Sequence, residues 1–196
     1  EPDRWAEERR RGLTIDLGFA WTRLPSGRDL AFVDVPGHQR FLDNTLAGLG
    51  PASAVCFVVA ADEGWSAQSS DHRDAVAGLG IRHGVVAITR CDRAPNRINA
   101  TIAQARAELE ATGLAAAPVV VVSAVDGTGL DRIREVLDDV LAGMATPDPT
   151  ERLRMWVDRS FSVTGAGTVV TGTLAAGSLC RQDRLQVVGN GRAARE

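Results

Sequence analysis

The sequence predicts an open α/β fold with a mostly parallel sheet and flanking helices, followed by the start of an antiparallel β-barrel domain. Three observations lead there. Four short runs, LAFVDV (30–35), AVCFVVAA (54–61), GVVAITR (84–90) and PVVVVSA (118–124), are apolar throughout, as strands covered on both faces are. Segments with helical spacing lie between or after them. Beyond residue 150 the pattern changes to period two.

The elements follow in chain order. Phe41, Leu42, Thr45, Leu46 and Leu49 share one helical face, ended by Gly50-Pro51. Ile98, Ile102, Ala105 and Leu109 repeat that spacing before Gly113, and Leu130, Ile133, Leu137, Val140 and Leu141 mark a last helix stopping near Gly143. Strand and helix in alternation predict right-handed crossovers on one sheet. ATPDPTER (145–152) is a stiff linker with two prolines, so one domain is expected over 1–146 and a second over 151–196. In the second, Leu153, Met155 and Val157 alternate with polar neighbours, and TVVTGTL and DRLQVV follow at short spacing. About 45 residues make only part of a barrel.

Composition narrows the function classes. The chain has 196 residues, 44% hydrophobic and 24% charged, which suits a soluble globular protein of one domain plus part of another. A net charge of −3 gives no overall basic signal, so any nucleic-acid contact is local. Cys56, Cys91 and Cys180 are odd in number and far apart, which favours neither a disulfide framework nor a zinc site and points to a reducing, cytoplasmic setting. The longest aliphatic run is too short to span a bilayer and no signal peptide is visible, so no membrane partner is expected. All 22 basic residues are arginine; there is no lysine.

Ligands of open α/β sheets sit outside the carboxyl ends of the strands. Three polar motifs occur there: Asp34-Val35-Pro36-Gly37-His38, Thr89-Arg90-Cys91-Asp92, and Ser123-Ala124. Each alone has a plain structural explanation. Asp-x-Pro-Gly is a good turn, Thr-Arg-Cys-Asp a strand running into an Asp-capped helix, and a His at a helix start a surface residue. Their occurrence on successive strand ends, in this order, favours a site.

With RGLTIDLGFAW (11–21), DVPGHQRF (34–41) and GTVVTGTL (167–174), the chain resembles the translational GTPases, and within them the selenocysteine-specific elongation factors. The resemblance covers essentially the whole chain. It implies a P-loop GTPase-type sheet, GTP/GDP and Mg²⁺ as ligands, and GTP hydrolysis that releases selenocysteinyl-tRNA on the ribosome. It also implies downstream domains that read a selenocysteine-insertion RNA hairpin. His38 is similar to the family's catalytic His, orienting the attacking water. Gly37 lets a backbone N–H approach the γ-phosphate, and Asp34 and Thr14 match the residues that hold Mg²⁺. Asp92 matches the carboxylate that accepts two guanine donors, and Ser123 and Ala124 the segment whose N–H meets guanine O6. Thr89 stands where Asn or Thr is usual. Arg90 replaces the usual Lys, and Gln39 replaces an acidic residue. Asp158 and Arg159 resemble the pair lining the aminoacyl pocket, where Arg would favour a selenolate; a strand-end surface ion pair explains them equally well.

No G-x-x-x-x-G-K-[ST] occurs, and without lysine none can. The chain is therefore expected to begin after the phosphate loop and, alone, to bind GTP poorly and hydrolyse it hardly at all. GAGTVVTG (165–172) is not a dinucleotide motif, because Val170 stands where a third glycine belongs and no helix follows. Glu7 to Arg11 reads as a solvated charged stretch, or as a contact to RNA backbone. A general elongation or initiation factor, and a non-catalytic RNA- or ribosome-binding relic, are the alternative functions.

Overall fold

The computed structural model describes residues 14, 16–145, 148–189 and 192–195, so the charged run at 7–11 lies outside the described residues. The chain forms two compact units, one ending at Met144 and one starting at Ala145.

The first unit opens with an antiparallel hairpin, β1 (Gly18–Arg23) and β2 (Asp29–Asp34), paired from Gly18↔Asp34 to Arg23↔Asp29. A 3₁₀ turn at Gln39–Phe41 leads into α1 (Leu42–Leu49). Three parallel strands follow in the order β3 (Val55–Ala60), β4 (Gly84–Thr89), β5 (Val119–Val121). Helix α2 (Ala67–Gly78) joins β3 to β4, α3 (Ile98–Leu109) joins β4 to β5, and α4 (Leu130–Ala142) closes the unit.

β4 shows why its run is apolar without alternation. Val86 and Ile88 enter one core with Phe57, Val59, Val76 and Leu109, while Val85 and Ala87 enter a second core with Val120, Val136 and Leu137. Helices α2 and α3 cover the first face and α4 the second. That three-layer arrangement accounts for a strand with both faces buried.

Two elements differ from the sequence-based expectation. Residues 30–35 were expected in the parallel sheet, yet among the described residues β2 pairs with β1, as a separate two-stranded sheet. The Leu24-Pro25-Ser26-Gly27 turn, with Gly27 at φ 86° and its N–H on the Leu24 carbonyl at 2.9 Å, makes that local pairing short-range. Helix α2 was not expected at all. Few of its residues are apolar and only Val76 is buried, but Ser66 caps it, with Ser66 and Ser69 bonding each other's backbone reciprocally.

The hairpin turn is latched to α4. Asp138 accepts from the Ser26 N–H at 2.7 Å, from Ser26 Oγ at 2.7 Å and from Arg28 at 2.6 Å. These donors, the Ser26 hydroxyl first, hold its carboxyl below the ordinary 3.8. All three cysteines are free. Among the described residues no helix is long and apolar enough to cross a membrane.

The second unit holds two antiparallel pairs, β6 (Arg154–Val163) with β7 (Gly167–Ala176), and β8 (Val187–Gly189) with β9 (Arg192–Arg195). The period-two pattern thus forms hairpins, in two separate sheets rather than a barrel among the described residues.

Ile88 is wholly buried, so Ile88→Ala should lose roughly 2–5 kcal/mol of stability in urea unfolding. Because the folded-state pKa of Asp138 is depressed, its contribution is complete above the ordinary 3.8 and fades as pH falls through the lowered value. Stability measured against pH should therefore show a flatter acid limb in Asp138→Asn than in the parent.

Candidate functional site

The ends of β4 and β5 are joined below the site. Val122 donates to the Ile88 carbonyl at 2.8 Å and Cys91 to the Val122 carbonyl at 3.5 Å, which sets Thr89 to Asp92 beside Ser123 and Ala124. Thr89 is half-buried and Asp92 exposed. Among the described residues no protein donor reaches the Asp92 carboxylate.

Ser123 is fully buried and organises the next loop. Its N–H donates to the Thr128 carbonyl at 2.9 Å, while its hydroxyl accepts from the N–H groups of Val125 at 3.2 Å and Asp126 at 3.4 Å. Gly127 N–H returns to the Ser123 carbonyl at 3.1 Å. That leaves Ala124: among the described residues its N–H takes no protein acceptor, and the residue is exposed. The loop closes at Gly129, whose φ of 71° and close approach to the Val121 carbonyl leave no room for a Cβ. An exposed carboxylate and an exposed N–H on adjacent strand ends are complementary to a planar ligand edge bearing both donors and an acceptor.

Arg90 adopts a left-handed backbone, φ 53°, unusual for a residue with a Cβ. Its guanidinium reaches to the turn after β3, binding Glu63 at 2.6 Å and Asp62 at 3.4 Å. The hydrogen bond to Glu63, then the charge of Asp62, push its pKa above the ordinary arginine value. Arg93 joins Asp62 at 3.3 Å and Arg97 donates to the Asp62 carbonyl. Sequence reasoning missed Asp62 and Glu63; their signal was an Asp-Glu-Gly directly after an apolar run.

The second cluster is the Pro36-Gly37-His38 turn after β2. Asp34 ends that strand and is exposed, and Thr14 is half-buried. Gly37 lies against Gln68, whose side-chain amide would collide with any Cβ there. His38 is exposed, with Nδ1 accepting from the Arg40 N–H at 3.2 Å and its ring 6.2 Å from that of Phe41. In the neutral ring this puts the proton on Nε2. A cavity of about 310 Å³ is lined by Gly37, His38, Leu42, Thr45, Asp71 and His72. Burial pulls the His72 imidazole below its ordinary 6.5, with Asp71 and the Gly37 backbone opposing.

Asp92, Ser123 and Ala124 do not line that cavity. A row of contacts nevertheless runs between the clusters: Val122 to Cys91, Arg90 to Glu63, and then α2, which starts four residues after Glu63 and meets Gly37 through Gln68. Asp158 and Arg159 are not at a strand end. They sit inside β6 at a bulge, where Val157 pairs with Gly172 and Arg159 with Thr171. Asp158 is exposed and accepts from Thr171 Oγ1 at 2.7 Å.

Residues 2–143 match the family described as the elongation factor Tu GTP binding domain. The selenocysteine-specific elongation factor of Desulfomicrobium baculatum is 37% identical over 194 residues, covering 98% of this chain and 31% of the relative. That of Escherichia coli strain K12 is 38% identical over 192 residues, 95% of this chain and 30% of the relative. A bacterial selenocysteine-specific elongation factor EF-Sec gives a TM-score of 0.83 at 34% identity, over 90% of this chain and 30% of that one. SelB of Methanococcus maripaludis, in complex with the GTP analogue GppNHp, gives 0.76 at 30% identity, over 84% and 36%. The chain spans about a third of the length of these relatives. By a match over most of its length, on the unit that carries these strand ends, the chain belongs to the family of elongation factor Tu GTP-binding domains.

Proposed function

We propose that this chain is the guanine-nucleotide-responsive part of a translation elongation factor that delivers selenocysteinyl-tRNA to the ribosome, hydrolysing GTP to release it. Residues 1–146 form its GTP-binding domain and 151–196 the first part of the β-domain that follows. The observation that carries this most directly is the pairing of the Asp92 carboxylate with the Ala124 N–H on neighbouring strand ends, both without protein partners among the described residues. Guanine presents N1–H and a 2-amino group to the first and O6 to the second. Adenine lacks those donors, so the same edge rejects it.

His38 acts at the other end of the nucleotide. Its Nε2–H donates to the oxygen of the attacking water. That water's oxygen bonds the γ-phosphorus, the bond to the β–γ bridging oxygen breaks, and the proton leaves with the phosphate. Gly37 supplies a backbone N–H to the γ-phosphate. Thr14 and Asp34 would hold Mg²⁺: they offer a hydroxyl and a carboxylate oxygen, hard donors of the kind that cation takes beside water and phosphate. No group of three or more His, Cys, Asp or Glu gathers among the described residues, which suits an ion that draws its other ligands from the nucleotide. Bound there, the cation neutralises phosphate charge. Thr89 and the stem of Arg90 border the base.

Specificity for selenocysteine draws on the relatives named for it. Asp158 and Arg159 are the proposed contact with the aminoacyl end, Arg159 offering charge-assisted hydrogen bonds to a selenolate. The hairpin RNA partner belongs to domains outside this chain.

The test joins a G-x-x-x-x-G-K-S segment from a relative ahead of residue 1 and measures nucleotide binding and ribosome-stimulated hydrolysis. Asp92→Ala should weaken guanine nucleotides by roughly 10²- to 10⁴-fold, two charge-assisted hydrogen bonds, with little effect on residual adenine binding. His38→Ala should lower kcat by about 10²- to 10⁴-fold at unchanged nucleotide affinity. Hydrolysis indifferent to His38→Ala sinks the proposed mechanism. Retention of selenocysteinyl-tRNA no better than of other aminoacyl-tRNAs sinks the proposed specificity.

A further inference from the structure

Asp92 stands between two arginines, Arg90 two positions before it and Arg93 next to it, and all three are exposed. Acids and arginines so placed pair elsewhere in the chain. Asp74 takes the adjacent Arg73 at 2.8 Å, and Asp29 takes Arg23 across the hairpin at 3.0 Å. Asp92 takes neither neighbour, because both guanidinium groups are engaged at the turn after β3. Arg90 Nη1 lies 2.6 Å from Glu63 Oε1 and 3.4 Å from Asp62 Oδ1, and Arg93 Nη1 lies 3.3 Å from Asp62 Oδ2. Each oxygen of Asp62 thus faces a different arginine.

The two acids sit on a turn that is held by other means. Ala61 N–H donates to the Thr89 carbonyl at 2.8 Å, and the N–H groups of Glu63 and Gly64 donate to the Ala60 carbonyl at 3.3 and 2.8 Å. Arg97 donates to the carbonyls of Asp62 and Glu63, the second at 3.4 Å. Trp65 N–H donates to Gln104 Oε1 at 3.3 Å, and its ring stacks on Phe57 with centroids 5.3 Å apart. None of these contacts uses the Asp62 or Glu63 carboxylate. Exposed ion pairs contribute little to stability, so neutralising the two acids leaves the turn in place.

What changes is the competition for Asp92. A guanidinium presents parallel N–H donors to a carboxylate, as the N1–H and 2-amino group of guanine do. The arginine donors carry a full charge and make the stronger hydrogen bonds. A guanidinium released beside Asp92 therefore occupies the oxygens that guanine needs.

We propose that Asp62 and Glu63 are positioning residues for the base site: by taking the guanidinium groups of Arg90 and Arg93 they keep the Asp92 carboxylate open to guanine. The inference deepens the function given above and rests on the role of Asp92 there. It assigns the loop after β3 a part in base selection without contact to the base.

The test uses this chain and the variant Asp62→Asn/Glu63→Gln, which keeps the side-chain shapes and removes their charge. Without nucleotide, the variant should show nuclear Overhauser cross-peaks from the δ-protons of Arg90 or Arg93 to the β-protons of Asp92, absent in the parent. GMP and AMP are then titrated to millimolar concentration and followed at the Asp92 and Ala124 amides. The parent should favour GMP, and the variant should lose about tenfold of that preference, since a charged donor now holds the carboxylate. In an Arg90→Met/Arg93→Gln background the same acid substitutions should change the preference less than about twofold, because their effect runs through the arginines. Glu63→Gln alone, on a side chain 66% exposed, should give the Arg90 cross-peak with a smaller loss.

A folded acid variant with the parent's preference for GMP overturns the proposal, with or without the cross-peaks. So does a loss of preference that persists in the arginine-free background, or failure of both acid variants to fold, since either makes the acids merely structural. A parent without preference for GMP removes the guanine reading and this inference with it. Cross-peaks that then appear as expected would retain only the diversion of the two arginines.

Discussion

The first unit depends on one constraint: β4 is covered on both faces. Val86 and Ile88 pack toward α2 and α3, while Val85 and Ala87 pack toward α4. A strand in that position has no solvent face to relax into, so its register against β3 and β5 is fixed by two cores at once. The ends of those strands are consequently held at defined heights. Thr89, Ala61 and Val122 are coupled there by backbone bonds, Ala61 N–H to the Thr89 carbonyl at 2.8 Å and Val122 N–H to the Ile88 carbonyl at 2.8 Å. Polar residues that follow inherit that precision.

Polar chemistry beyond the strand ends is arranged by charge rather than by packing. Arg90, Arg93 and Arg97 converge on Asp62 and Glu63, drawing the loop after β4 to the loop after β3. Exposed ion pairs contribute little to stability individually. Here their consequence is geometric: they occupy the Arg90 guanidinium and leave the Asp92 carboxylate without a protein donor among the described residues. A loop in which every polar group were satisfied internally would have nothing left for a ligand. The Ser123 loop shows the same division, with the N–H groups of Ser123, Val125, Asp126, Gly127 and Thr128 engaged and that of Ala124 open.

Helix α2 shows how far a functional element can hide from pattern reading. Its buried face is a single valine, so apolar periodicity gives almost no signal, and only the Ser66 and Ser69 cap announces it. Yet it supplies Gln68 to Gly37, and His72 to the cavity that Gly37 and His38 line. Asp158 and Arg159 illustrate the opposite error. Their polarity in an alternating run suggested the end of a strand, while the strand continues to Val163 with an extra residue accommodated as a bulge. A bulge is set by pairing with Thr171 and Gly172 across the hairpin, and no local pattern encodes which partner is skipped.

The amino-acid sequence by itself determined the parallel strands β3, β4 and β5, the helices α1, α3 and α4, and the motifs that end at Gly37, Asp92 and Ser123. Those features are local: apolar runs, helical spacing and turn residues act over a few positions, and burial on two faces leaves a continuous apolar stretch to read. Only the tertiary structure decided that β2 pairs with β1, that α2 abuts the Gly37 turn, and that Arg90 reaches Glu63. The α2 and Arg90 contacts join groups far apart in the chain, brought together by packing of layers whose spacing no single segment specifies, while the apolar run of β2 does not encode which neighbour it pairs with.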